Sequence, residues 1–219
     1  MRPITVSVGP VGTVSATNIA TSQTPSAAVP LTLNGSLAVT SAGVTVAVLP
    51  SPQRVLITTA DSTHSFTITG TTPTGAKVSE TVPAFASATA YSALDYATVT
   101  SVVISGAATA AVTVGTNGIA STPWVRLDEW ANPTVSIQVD VTGTVNYTVQ
   151  STLDDPNSPT SPVTPSAVTW INSADTNAVS ATASLQTYFQ YVPVFARVLL
   201  NSGSGSVTAT FLQSGAVPY

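Results

Sequence analysis

Between Val135 and Gln150 the chain alternates between apolar and polar residues with a period of two. Val135, Ile137, Val139 and Val141 are separated by Ser136, Gln138 and Asp140, the pattern of a strand with one buried face. Val145, Tyr147 and Val149 repeat it after a gap that holds Gly143, a residue suited to a tight reversal. Both apolar sets are odd-numbered. Pairing them as a hairpin with one shared core face therefore requires an odd loop, Thr142–Thr144, and sets Val139 opposite Tyr147.

The same period recurs on either side. Residues 3–8, PITVSV, predict a short strand or arm, ended by Gly9, Pro10 and Gly12. Residues 16–30 are small and polar, with Pro25 and Pro30, and read as an extended linker. From 31 to 118 come short runs, among them SLAVT, VTVAVL, RVLITT, SFTITG, AKVSETV, TVTSVVIS and AAVTV, separated by turn residues as in a sandwich. Val44, Val46 and Val48 are expected on its core face, as are Phe66 and Ile68. A helical turn is expected around Tyr91, in SATAYSALDYATV, and nowhere does the spacing support a long helix. VGTNGIASTP at 114–123 reads as a seam. Beyond it, TLDDPNSPTSPVT at 152–164 predicts a projecting loop, and VTWI, VFARVLL and SVTATFL predict strands, the last two joined at Gly203 and Gly205. The expected fold is all-β: two antiparallel β-sandwich or jelly-roll-like domains with short loops. They span 25–118 and 119–219, and residues 1–24 form an N-terminal strand, arm and linker that packs with the C-terminal domain.

Composition sharpens this picture. Only 6% of the 219 residues are charged, against about 25% in an ordinary soluble domain. Five basic residues, Arg2, Arg54, Lys77, Arg126 and Arg197, and a net charge of -4 leave no cationic stripe for phosphates, so direct nucleic-acid binding is not expected. There is no cysteine, hence no disulfide framework and no thiolate metal site. The N-terminus lacks the apolar run of a secretion signal or membrane span, so the chain is expected to be made as a soluble protein of the cytoplasm. A surface so poor in charge suits an assembled state better than a free monomer.

Few residues offer chemistry. His64, the sole histidine, lies in a polar turn without the G-x-S-x-G signature of a nucleophile elbow. Asp154, Asp155 and Asn157 are candidate metal ligands, although turn capping accounts for such residues in a proline-rich loop. Asp128 and Glu129, set between tryptophans, resemble a glycosidase pair, but adjacent strand residues point oppositely. Trp124, Trp130 and Trp170 are candidate core or interface anchors. Arg126 and Arg197 are candidate interface residues, with Arg197 expected to meet a carboxylate at an edge or subunit contact. No catalytic residue and no cofactor are expected.

MRPITVSVG, TPWVRLDEWANP, VDVTGTVNYTVQSTLDDP, TWIN and RVLLNSGSGSVTATFLQSG resemble an uncharacterised family of tailed-bacteriophage virion structural proteins. Thr134 stands where that family carries an aromatic residue. Shorter members run from the opening strand almost directly into the tryptophan segment, which implies that residues near 25–118 are an insertion. That part, with TITGTTPTGAKVSETV, YATVTSVVISG and AAVTVGTNG, is similar to another module of phage structural proteins. The resemblance implies a non-enzymatic virion protein made in the host cytoplasm, foremost a capsid decoration (cement) protein seated on the major capsid protein or neighbouring virion proteins, and the poorly charged strand edges lead us to expect a homo-oligomer, a trimer or dimer. A neck, tail or head-fibre component is the alternative within that setting. A carbohydrate-binding adhesin module is the alternative of another class, with the tryptophans, Tyr188, Phe189 and Tyr191 as its sugar platform.

Overall fold

The computed structural model describes residues 3–128 and 134–213; Glu129 and Trp130 lie outside them. The fold is all-β. The strands are β1 (Ile4–Val8), β2 (Ser15–Gln23), β3 (Ala38–Ser41), β4 (Val44–Thr59), β5 (Phe66–Thr71), β6 (Lys77–Val82), β7 (Thr89–Ile104) and β8 (Val112–Thr116). After them come β9 (Ala120–Ser121), β10 (Val125–Arg126), β11 (Val135–Thr142), β12 (Val145–Thr152), β13 (Ile171–Asn172), β14 (Leu185–Phe189), β15 (Phe195–Gly203) and β16 (Ser206–Gln213). Two 3₁₀ turns, Pro165–Ala167 and Thr176–Ala178, are the helical elements among the described residues, and no helix there is long and apolar enough to cross a membrane.

The chain divides into two compact units: residues up to Val11 together with those from Ile119 onward, and Gly12–Gly118. The first contains two sheets, β1-β16-β11-β14 and β10-β15-β12-β13, with β9 also on β15. Their inward faces meet in one core. Val135, Ile137, Val139 and Phe211 come from one sheet and Tyr147, Val149, Val198 and Leu200 from the other. The opening strand belongs here, pairing Ile4 with Phe211 and Val8 with Val207.

The hairpin predicted at 135–150 does not form. β11 pairs with β14 and β16, while β12 pairs with β13 and β15. The chain instead crosses between sheets at Thr142–Val145, and a second crossing at Gly203–Ser206 lies alongside. Thr142 is opposite Ser206, Val145 is opposite Gly203, and the Gly205 N–H donates to the Thr144 carbonyl at 2.9 Å. Parity is satisfied either way, because two odd-numbered faces can share one side of a sheet or oppose each other across a core. Long-range partners decided between them.

The strands of the middle unit form one continuous seven-stranded ladder, ordered β2-β8-β4-β7-β5-β6 with β3 beside β4. β4 and β7, each 16 residues, shift register between Val48 and Gln53 and again between Arg54 and Leu56. Such bulges bend a sheet. The core gathers Ile57, Phe66, Ile68, Tyr96, Val102 and Ile104, all fully buried.

Three further expectations are corrected in this unit. Residues 15–23 are strand β2 on β8 rather than linker, so the arm ends at Val11 and not at 24. Ile19 and Ala20 are buried there beside Asn18, whose amide donates to Thr116 Oγ1 at 2.7 Å; a polar side chain on the buried side hid the pattern. Tyr91 lies in β7 with no helical turn, because β4 supplies a ladder partner, Leu56. Val44 and Val48 face outward, while Ala47 and Leu49 are buried. Nearly every residue of VTVAVL is apolar, so alternation alone could not choose the inner face.

Where the two crossings touch, space is the constraint. A Cβ on Gly205 would overlap the Thr142 carbonyl oxygen, whereas one on Gly75 would meet nothing. Gly205→Ala is expected to cost about 3 kcal/mol through backbone displacement. Gly75→Ala, at a φ of +82, should cost only the left-handed penalty of about 1 kcal/mol. Urea unfolding of the two variants checks the ranking.

Candidate functional site

On β15, Ala196, Val198 and Leu200 point into the core, which turns Phe195, Arg197 and Leu199 to the outer face of that sheet. Four of the predicted anchors converge there. The Trp124 ring lies 5.0 Å from Trp170 and 5.9 Å from Phe195, both edge-on. Arg197, 3% exposed, donates from Nε to Gln150 Oε1 at 2.9 Å and places its guanidinium 4.0 Å from the Trp170 ring centroid. The sequence predicted a carboxylate partner for this residue; the Gln150 amide oxygen and the Trp170 indole face are two of the groups that hold the cation. Arg126, half exposed, pairs with Asp155 at 3.0 Å and lies over Phe195. The fifth anchor, Trp130, lies outside the described residues.

These contacts fasten the proline-rich segment that follows β12. Asp154 Oδ2 accepts from the Thr169 N–H at 2.7 Å, and Asp155 Oδ1 accepts from the Asn157 N–H at 2.8 Å. The three candidate metal ligands thus serve turns and an ion pair. The Asn157 amide, and after it Arg126, hold the Asp155 carboxyl below its usual range. The loop is tied back by its own carboxylates rather than projecting freely.

His64 has a buried partner that the sequence did not reveal. Asp61 is fully buried. Its carboxylate lies 2.8 Å from His64 Nδ1 and accepts from the Thr109 N–H, the Thr63 N–H and the Thr63 hydroxyl. Burial alone would raise this carboxyl, yet the Thr109 and Thr63 amides with the His64 and Thr63 side chains hold it far below its usual 3.8. The other edge of the imidazole faces Gly106, where a Cβ would come within 2.5 Å of Nε2. The pair organises a turn. Asp128 is exposed, with its N–H donating to Gln213 Oε1, and Glu129 lies outside the described residues.

Two surfaces were not legible as sites. On the outer face of the four-stranded sheet, a groove of about 620 Å³ is lined by Ser136, Gln138, Gln186, Tyr188, Thr210 and Leu212, among others. Tyr188 is exposed, whereas Phe189 is in the core and Tyr191 packs 6.2 Å from it, so the three do not form one platform. The polar phase of β11 was visible, but its neighbours on β14 and β16 were not. The second surface is the outward face of β3 and β4, where Val39, Val44 and Val48 are exposed. No family model matches the chain, and no curated protein matches it.

Two predictions follow from the burial of these charges. Arg197→Ala leaves Gln150 Oε1 without its buried donor and is expected to destabilise the unit by about 3 kcal/mol. Arg126→Ala, which breaks a solvent-screened pair, should barely move the denaturation midpoint.

Asp61 governs the acid limb. Its folded value is depressed, so its stabilisation is present above 3.8 and is lost as the pH falls further towards the folded value. Asp175, lowered by the Thr187 hydroxyl and the Asn177 amide, acts in the same direction. Glu80 is raised, mainly by burial, and acts oppositely above 4.5, losing stabilisation as the pH rises. Asp61→Asn should therefore lower the thermal midpoint at neutral pH and flatten its fall below about pH 4, as calorimetry across that range will measure.

Proposed function

We propose that this chain is a non-enzymatic structural protein of a tailed-bacteriophage virion, foremost a capsid decoration protein that self-associates and seats on the major capsid protein. The observation that carries the reading is the surface of the middle unit. Of its acidic and basic side chains, Arg54, Asp61 and Glu80 are buried, His64 and Asp95 are half-buried, and Lys77 alone is exposed. A free monomer relies on surface charge for solubility, while a surface destined for an assembly does not. The sequence resemblance to virion proteins supports the same setting, as does the placement of the opening strand at the edge of the C-terminal unit's sheet. His64, Asp154 and Asp155 are engaged in turns, which fits a structural role.

A second reading, a carbohydrate-binding module, is favoured by the groove beside Tyr188. Uncharged amides, hydroxyls and one exposed aromatic ring are the groups that bind neutral sugars.

The test is cryo-EM of native particles together with rebinding of purified chain to particles that lack it. Decoration predicts hundreds of copies per head and a raised temperature of head rupture on rebinding. A dozen copies or fewer at the neck or tail would select the alternative within the virion. Failure to bind particles, together with glycan binding abolished by Tyr188→Ala, would select the second reading.

A further inference from the structure

We infer that the groove on the outer face of the β1-β16-β11-β14 sheet is a slot one ring wide that seats the terminal neutral pyranose of a glycan, edge first, between Tyr188 and Leu212. The ladder sets its shape. Ser136 lies opposite Tyr188 on one side and opposite Leu212 on the other, so a small side chain is flanked by two large ones, 55% and 43% exposed. In the next outward-facing row Gln138 lies between Gln186 and Thr210 and closes one end. Strands two places apart in a sheet stand roughly 9.6 Å from each other. A ring in ordinary carbon contact with both walls needs roughly 7–8 Å, so the slot admits the thickness of one ring.

The lining selects the chemistry of the ligand. Gln186 Nε2 donates to Gln138 Oε1 at 3.4 Å, and Gln138 Nε2 donates to the two Asp140 carboxylate oxygens at 3.2 and 2.9 Å. Among the described residues this relay leaves Gln186 Oε1 open as an acceptor and the Ser136 hydroxyl open as both donor and acceptor. A sugar hydroxyl, itself donor and acceptor, pairs with either. An apolar ligand, or an aromatic side chain of a partner protein, fits between the walls but strips water from Ser136 and Gln138 and returns no hydrogen bond to them. A phosphate or an acidic sugar meets Asp140 and no cation, since the four strands contain no Lys, Arg or His. An extended peptide is bound through main-chain groups at a sheet edge, whereas the slot lies over β11, an interior strand paired on both sides. A pyranose supplies what remains: an apolar C–H face for the walls, and hydroxyls at its rim for the floor and the closed end. This inference rests on the carbohydrate reading and names the ligand and its seat.

The full chain, titrated by saturation-transfer NMR with the methyl glycosides of glucose, galactose and mannose, is expected to bind at least one of them. The dissociation constant should be on the order of 1 mM, the strength that a ligand of this size reaches. Tyr188→Ala removes one wall and Ser136→Leu fills the slot; each should weaken binding at least about tenfold with an unchanged circular dichroism spectrum. Methyl glucuronide and p-cresol, which stand in for an acidic sugar and a tyrosine side chain, should bind at least about tenfold more weakly than the best neutral glycoside. Absence of binding to all three glycosides and to an array of neutral oligosaccharides would overturn both the slot and the carbohydrate reading. Sugar binding that Ser136→Leu and Tyr188→Ala leave intact would overturn the slot alone. So would array binding, abolished by Tyr188→Ala, with no binding of a single pyranose. Tighter binding of the glucuronide or of p-cresol would overturn the ligand in favour of an acidic sugar or a protein side chain.

Discussion

The C-terminal unit depends on one close approach of backbone to backbone. Two chain crossings, 142–145 and 203–206, stack so that Gly205 donates to Thr144 and its Cα sits where a Cβ on Gly143 would reach 3.1 Å. The turn at Gly143 has a φ of +80, which only glycine adopts without strain. Each crossing carries a strand from one sheet to the other. The pairing of β11 with β16 and of β12 with β15 is therefore set at the corner and propagated along both ladders. Burial of Val139, Tyr147, Leu200 and Ala209 in one core follows from that geometry. β1 then joins at β16 and ends just before Gly9, where a Cβ would stand 2.6 Å from the Gly205 carbonyl oxygen.

The middle unit solves a different problem with few charges. Glu80 reaches from β6 to accept the Ala93 and Leu94 amides at 2.9 and 3.0 Å, and Arg54 lies over Tyr91 at 5.5 Å. Asp61 ties the turn before β5 to Thr109. The two carboxylates accept backbone donors, Glu80 at the bulge of β7 and Asp61 in the turns, that would otherwise be unpaired, and an unpaired buried amide is costly. Charge spent inside the unit is absent from its surface. That leaves packing, rather than electrostatic steering, as the means by which this unit recognises anything.

The same economy appears on the C-terminal unit, where Arg197 is held between an amide and an indole, and Asp154 and Asp155 fold their own loop. Side chains that look like functional candidates in a charge-poor sequence are here the fastenings of long connections. The surfaces left open, the groove beside Tyr188 and the valine face of β3 and β4, consist of uncharged groups. Both suit contacts made through shape and desolvation.

By itself the sequence determined the fold class, because period-two alternation, proline frequency and β-branched residues exclude long helices whatever the topology. It also determined the inner faces of β11, β12 and β5, where apolar and polar residues alternate cleanly. It brought Trp124, Trp170, Arg126 and Arg197 forward as notable residues without revealing that they meet. Tertiary structure alone decided which strands pair, since Val139 and Tyr147 satisfy the same parity in a hairpin or across a core. It decided the inner face of VTVAVL, where both phases are apolar, and made a strand of 15–23, whose buried side includes Asn18. It joined Asp61 to Thr109 across 48 residues. The physical reason is common to all: alternation is a local property, whereas pairing, burial and hydrogen-bond partners are fixed by residues far apart in the chain.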